Sequence, residues 1–189
     1  MQKEGAVMSC IKTHSGIMFD PLNPDPEKIR IEDIAHSLSM LCRANGHFKS
    51  FYSVGLHCIN CMFEAQARGY SPRVQLACLL HDGSEAYLSD VTRPVKQELP
   101  RYVQIEEPLQ ETIWNKFMGT PLTQKEYQQV FEVDDALLYN EFIALMDTRL
   151  SPEGPELKSR AVFDFVDFTV CKERFLEHFY RLAEREHRL

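Results

Sequence analysis

Apolar residues recur at intervals of three and four along most of this chain, which is the spacing of one face of an α-helix. Helix starts are marked by Ser71-Pro72, typical of an N-cap and first turn, and by the capping-box form of residues 123–126. The pattern predicts helices over residues 31–44, 54–68, 72–81, 102–118, 123–141 and 169–189. We therefore predict an all-α fold, a helical bundle of about six to eight helices.

Residues 1–30 do not carry this helical pattern. Three prolines between residues 21 and 26 are spaced too closely for a helix, so we predict a short extended N-terminal arm that is hairpin-like over 13–20. Residues 31–189 are predicted to form one helical domain, because 189 residues of which 44% are hydrophobic supply one core of ordinary size. The side chains expected in that core include Trp114 and, in the last helix, Val170, Phe175, Phe179 and Leu182.

The charge is −7 and basic residues are scattered, so we expect neither a nucleic acid polymer nor an anionic membrane as partner. No stretch reaches the ~18 apolar residues of a membrane span, and the first residues lack the apolar run of a signal peptide. We expect a cytoplasmic protein whose six cysteines are reduced, mostly within apolar helical runs. The Cys58-x-x-Cys61 pair has no second such pair and is better explained by the core face of a helix than by a zinc or redox site.

Residues 77–96 concentrate the candidate chemistry, because an apolar run ends there in a dense set of ionisable side chains. His81 and Asp82 are adjacent, and at a helix end both can point at one ion. Imidazole nitrogen and carboxylate oxygen together suit Zn, Fe, Mn, Co or Ni. Two ligands do not hold a catalytic metal, so a further histidine and a further carboxylate are required.

Candidates for both are present on predicted helices. His57 belongs to the inward stripe of the second helix. Asp134 and Asp135 interrupt the apolar positions of the helix over 123–141, and periodicity alone does not choose between them.

In chain order these residues resemble the H...HD...D signature of the HD-domain metal-dependent phosphohydrolases. Residues 81–96 resemble the H-D-x-S-E-x-x-x-x-D-x-P/T-x-P-V-K segment of the bacterial 5'-deoxynucleotidase branch and its phage-encoded relatives, and residues 134–141 resemble its D-x-x-x-L-x-x-E. The likeness covers about residues 16–146. It implies one divalent transition metal ion (Mn, Co, Ni, Fe or Zn) on four ligands: His57, His81, Asp82 and Asp134.

The resemblance also suggests roles for other charged residues. Glu85 follows Asp82 by three residues, near enough to orient a water or to act as a general acid/base, and Asp90 would assist proton transfer. Arg43 matches the arginine that precedes the first metal histidine, where its guanidinium would clamp a phosphate, and Lys96 would supply a second cation. These residues are the predicted catalytic and substrate-binding groups.

The function that this resemblance implies is metal-dependent removal of phosphate from a small-molecule nucleotide, foremost a 5'-(deoxy)nucleoside monophosphate. Ala44 stands where the characterised deoxynucleotidases carry a tryptophan, so the sugar preference stays open. Two alternatives are a dNTP triphosphohydrolase and a non-catalytic HD-fold interaction module. Homo-oligomerisation is a further expectation from the family likeness.

Overall fold

A computed structural model describes residues 10–186 of the chain. Its first element is an antiparallel hairpin in which β1 (Ile11–Lys12) pairs with β2 (Met18–Phe19), and a 3₁₀ turn at Pro26–Lys28 follows. Asp33 fixes the hairpin turn, because its carboxylate accepts hydrogen bonds from the Ser15 N–H and hydroxyl at 2.6 and 2.8 Å. The hairpin therefore spans residues 11–19, and its first strand lies just before the hairpin-like segment predicted over 13–20. Residues 1–9 of the predicted arm lie outside the described residues.

Eight α-helices follow within residues 10–186, which confirms the predicted all-α fold. They are α1 (Ile31–Met40), α2 (Val54–Ala67), α3 (Pro72–Leu80), α4 (Glu85–Leu88), α5 (Arg93–Lys96), α6 (Pro100–Met118), α7 (Gln124–Met146) and α8 (Phe168–Glu186). The single turns α4 and α5 are too short to leave a periodic signal. The predicted capping box at the start of α7 is confirmed, since Thr123 and Glu126 bond each other's backbone N–H.

Helices α2 and α3 lie at the centre of the bundle, where α2 packs against α1, α3, α7 and α8. Because α2 is buried on nearly every side, its polar side chains need protein partners. Asn60 exchanges two hydrogen bonds with the backbone of Val162, and the Glu64 carboxylate accepts the N–H groups of Lys158 and Ser159. These bonds tie the long loop between α7 and α8 to the core.

The first helix ends earlier than predicted, at Met40 instead of residue 44. The chain then runs extended, and Cys42 forms an antiparallel bridge with Ser53, so Cys42 is half-buried outside any helix. Arg43 begins a 3₁₀ turn (Arg43–Gly46) in which Ala44 has the left-handed φ of 53°. The prediction that Arg43 sits at a helix C-terminus was therefore wrong, because the backbone pairing takes precedence over helical propensity.

The last helix begins at Phe168 and is described as far as Glu186, so residues 187–189 of the prediction lie outside the described part. Phe175, Phe179 and Leu182 are buried as predicted, and so is Trp114 of α6. Val170 was wrongly placed in the core and is 39% exposed, because it precedes the stripe that faces α1 and α3. Among the described helices, none has both the length and the apolar character to cross a membrane.

Candidate metal centre and adjoining cleft

The corner that carries His81 and Asp82 is held by α6. At the end of α3, Leu80 O accepts the Gly83 N–H at 2.9 Å and Gln110 Nε2 at 2.8 Å, and Gln110 Oε1 accepts the Ser84 N–H at 3.0 Å. Gly83 allows the backbone to turn tightly at this corner, since a Cβ there would lie only 3.0 Å from Leu80 O. The corner thus presents both side chains from a fixed backbone.

His57 of α2 and His81 face each other through their Nε2 atoms, which are 3.2 Å apart. The Nδ1 atom of His81 donates to Cys78 O at 2.8 Å, and that of His57 donates to the Glu141 carboxylate. With Nδ1 as donor in both neutral rings, each Nε2 carries a lone pair. The two lone pairs converge on one point beside Asp134, whose Oδ1 lies 3.1 Å from His57 Nε2.

The separations of these atoms fit a shared metal ion. Metal–nitrogen bonds of about 2.0–2.1 Å place neighbouring ligand atoms roughly 2.8 to 3.4 Å apart, from octahedral to tetrahedral angles. The Nε2 pair and the Asp134 contact lie in that range. A buried group of His57, Cys61, His81 and Asp134 that could hold a metal ion is therefore present, with its ligand atoms all within 4.8 Å of one another.

The electrostatics of this point favour a cation. Burial alone would lower the pKa of His81, but Asp82, Cys58 and the hydrogen bond to Asp134 together raise the pKa well above its usual value. The acidic side chains thus create a strongly negative potential where the two Nε2 atoms meet. A proton or a metal ion bound at this point would offset that negative potential.

Asp82, the fourth predicted ligand, adjoins this group. One of its oxygens lies 3.2 Å from His81 Nε2 and the other 3.7 Å from His57 Nε2. Of the two candidates that periodicity left open, Asp134 is the one beside the two Nε2 atoms, whereas the Asp135 side chain is 54% exposed and pairs with Arg93. Arg93 also forms a salt bridge with Asp134 Oδ2 at 2.8 Å, which the sequence analysis did not predict.

Arg43 reaches the same centre from the 3₁₀ turn. Its Nε donates to Glu141 Oε2 at 2.9 Å, and its terminal nitrogens lie 3.5 Å from Asp82 and 3.6 Å from Asp134. The guanidinium, predicted as a phosphate clamp, therefore also neutralises the carboxylates around the centre.

Glu141 is the buried residue that joins these groups, and the sequence reading did not assign it a role. Its carboxylate binds His57 Nδ1 and Arg43 Nε and accepts the Tyr52 hydroxyl at 3.0 Å. Burial alone would raise the pKa of Glu141, but Arg43 and His57 lower it to about 2. Its position seven residues after Asp134, on the same helix face, was the available signal.

A cleft of about 460 Å³ opens beside the centre and is lined by all four predicted catalytic and substrate-binding residues: Arg43, Glu85, Asp90 and Lys96. Glu85 is only 6% exposed, and its Oε2 has no hydrogen-bond partner within residues 10–186. Burial, with Asp82 and Asp90 close by, raises the pKa of Glu85 well above its usual value. This carboxyl therefore keeps its proton to a higher pH than an exposed glutamate does.

The other two residues already have partners. Asp90 Oδ2 accepts the Ala44 N–H at 3.0 Å, so it holds the turn that presents Arg43. Lys96 pairs with Glu106 at 2.7 Å and lies between this cleft and a second one of about 410 Å³, lined by Glu106, Glu107 and Glu111 beside the metal-ligand candidates.

Two bacterial proteins are similar to this chain. The uncharacterized protein YfdR of Escherichia coli K12 is 38% identical over 122 residues, which span 61% of this chain and 65% of YfdR. An uncharacterized protein of Rhodobacter capsulatus is 38% identical over 112 residues, 57% of each chain. The matches thus cover less than two thirds of either relative. No family model matches the chain.

Proposed function

We propose that this protein is a divalent-metal-dependent phosphohydrolase that removes phosphate from a nucleotide, foremost a 5'-(deoxy)nucleoside monophosphate. The observation that carries the proposal is the pairing of two converging Nε2 lone pairs with Glu85, a buried carboxyl whose Oε2 has no hydrogen-bond partner in the described part of the chain. Both adjoin a cleft that also holds Arg43 and Lys96. A helical interaction module has no need of that combination. The resemblance to HD-domain enzymes supports the same conclusion.

His57, His81, Asp82 and Asp134 would hold the ion. Nitrogen and oxygen donors in this ratio suit Mn, Co, Ni, Fe or Zn. When bound, such an ion acts as a Lewis acid that activates water and offsets phosphoryl charge. The outer contacts of the two imidazoles fix their orientation for this task.

The chain's own residues would handle the proton and the phosphate. Glu85 holds a proton at a buried carboxyl and can pass it to the leaving oxygen of the nucleoside. The terminal nitrogens of Arg43 lie next to the carboxylates of Asp82 and Asp134. A phosphate oxygen would bind these nitrogens as a further negative partner. Asp90 keeps Arg43 in place through the turn.

The cleft favours a nucleoside monophosphate as substrate. Its volume of about 460 Å³ lies within the ordinary range for small-ligand sites. Its lining includes Phe48, Leu138, Phe142 and Leu150, which would give a base an apolar surface to pack against. The neighbouring cleft carries Glu106, Glu107 and Glu111, which would repel the extra phosphates of a dNTP. We propose that the reaction takes place in the cytosol, where the free thiols would stay reduced.

The test is release of phosphate by chelator-treated protein resupplied with Mn, Co, Ni, Zn or Mg, one at a time. Substrates are a panel of NMPs, dNMPs and dNTPs. Equal amounts of orthophosphate and nucleoside from a monophosphate, with a transition metal only, would support the proposal. Release of intact triphosphate from a dNTP would favour the triphosphohydrolase instead, and no hydrolysis with any metal would contradict both.

A further inference from the structure

A thiol lies beside the candidate metal centre and has no part in the proposed reaction. Cys61 follows His57 by one helical turn, so the two side chains share a face of α2. Its side chain is 1% exposed, and its Sγ lies 3.5 Å from His57 Nε2, the nitrogen whose lone pair faces the centre. The thiol is therefore placed on the ligand side of His57.

The 3.5 Å separation is the one expected for two ligands of a single ion. Metal–sulfur bonds of about 2.3 Å and metal–nitrogen bonds of about 2.0–2.1 Å at a tetrahedral angle place sulfur and nitrogen roughly 3.5 Å apart. The Sγ of Cys61 also lies within 4.8 Å of the ligand atoms of His81 and Asp134.

Cys58, the other thiol of the C-x-x-C pair, is placed differently. Its Sγ lies 3.9 Å from Nδ1 of His81, the nitrogen that already donates to Cys78 O. Cys58 therefore contacts the outer edge of that ring and not its ligand nitrogen. The two cysteines thus do not act as a pair: Cys58 groups with His81 and Asp82, whereas Cys61 groups with both histidines and Asp134.

We propose that Cys61 also binds the metal ion, as a thiolate, alongside His57, His81, Asp82 and Asp134. This inference rests on the proposed metal site but not on the proposed reaction. On binding, the Cys61 S–H bond breaks, a sulfur–metal bond forms, and the proton passes to solvent. A thiolate ligand selects zinc, iron or cobalt over manganese and magnesium.

The alternative is that Cys61 is a core residue whose thiol donates an S–H hydrogen bond to the His57 Nε2 lone pair. The two roles differ in whether a sulfur atom is bound to the metal ion. X-ray absorption of the zinc-loaded full chain measures this directly, because a zinc–sulfur distance of about 2.3 Å is distinct from zinc–nitrogen and zinc–oxygen distances.

The wild-type protein should show one sulfur neighbour at that distance, and Cys61→Ser should lose it while its circular dichroism stays native. Cys171→Ser is the matched control, since Cys171 is equally buried but bonds Ser53 instead of the centre, and it should keep the sulfur signal. Zinc affinity should fall by more than about tenfold in Cys61→Ser, at least as much as loss of an outer partner costs.

Zinc bound in a shell of nitrogen and oxygen alone would overturn the role of Cys61 and leave the metal site standing. A sulfur signal that disappears in Cys58→Ser instead would also overturn it. Failure of the wild-type chain to bind zinc, cobalt or iron would remove the thiolate, and failure to bind manganese and nickel as well would remove the proposed metal site.

Discussion

Glu141 accepts a hydrogen bond from His57 Nδ1, and the same carboxylate holds Arg43 Nε at 2.9 Å. A single buried side chain thus orients a candidate metal ligand and a candidate phosphate-binding residue. Metal affinity and substrate binding should therefore depend on it together.

Glu141→Gln should weaken metal binding by about 10- to 100-fold, the usual effect of losing an outer partner of a metal histidine. It should also lower the free energy of unfolding by about 3–5 kcal/mol, because Arg43 loses the nearest and most deeply buried of its counter-charges. Competition titration with a zinc indicator and thermal unfolding measure the two effects. Glu132→Gln, an exposed change on the same helix, is the control. Unchanged zinc affinity in Glu141→Gln would mean that Glu141 serves the fold alone.

The sequence predicts the parts of this site that follow from helical periodicity. His57 faces inward because it shares a stripe with buried apolar residues of α2, and a helix must end near His81 because Gly83 and a cluster of charges follow it. Periodicity could not separate Asp134 from Asp135, since both interrupt apolar positions, and only the packing of α7 against α2 and α3 decides.

Features set by long-range contacts left no local signal. Ala44 has a left-handed φ although it is not a glycine, so the sequence does not indicate this turn. The turn is held by a hydrogen bond to Asp90, 46 residues away. The sequence indicates only that Cys61 is a core residue, whereas the structure places its thiol beside His57 Nε2.

Arg43→Lys should be far from conservative. A lysine has no Nε to donate to Glu141 while also reaching Asp82, so the turn loses a contact and a phosphate loses its fork. A charge-assisted hydrogen bond contributes roughly 1.5–3 kcal/mol, so kcat/KM on the best substrate should fall at least about tenfold. Steady-state kinetics check this, with Arg101→Lys on exposed α6 surface as the control. Kinetics equal to wild type would remove Arg43 from substrate binding.

Glu85→Gln should separate chemistry from metal binding. Glutamine keeps the shape of this buried side chain but cannot hold a transferable proton, so kcat should fall by about 10² to 10⁴ with metal content retained. Single-turnover kinetics and elemental analysis of the same preparation provide the two readings. Loss of the ion in Glu85→Gln would show that Glu85 belongs among the ligands.

Glu64 gives a prediction about stability and pH away from the site. Burial alone would raise its pKa, but Arg68 and the N–H groups of Ser159 and Lys158 lower it below the usual 4.5. A lowered folded-state pKa adds stability above the unfolded pKa and loses it as pH falls through the folded value. The Tm difference between wild type and Glu64→Gln should therefore be largest near neutral pH and shrink below about pH 4.5. A difference that is constant from pH 7 to pH 3 would contradict this.

The central claim, that a metal ion held at this centre drives phosphate release, is tested most directly by comparing Asp134→Asn with Asp135→Asn. The two carboxylates are neighbours in sequence, but one meets His57 Nε2 and the other faces solvent with Arg93. Metal content and metal-dependent phosphate release from a nucleoside monophosphate are measured on each. The account predicts that Asp134→Asn loses both, with release reduced at least about 100-fold, and that Asp135→Asn keeps both. Equal metal content and equal release in the two variants would contradict it.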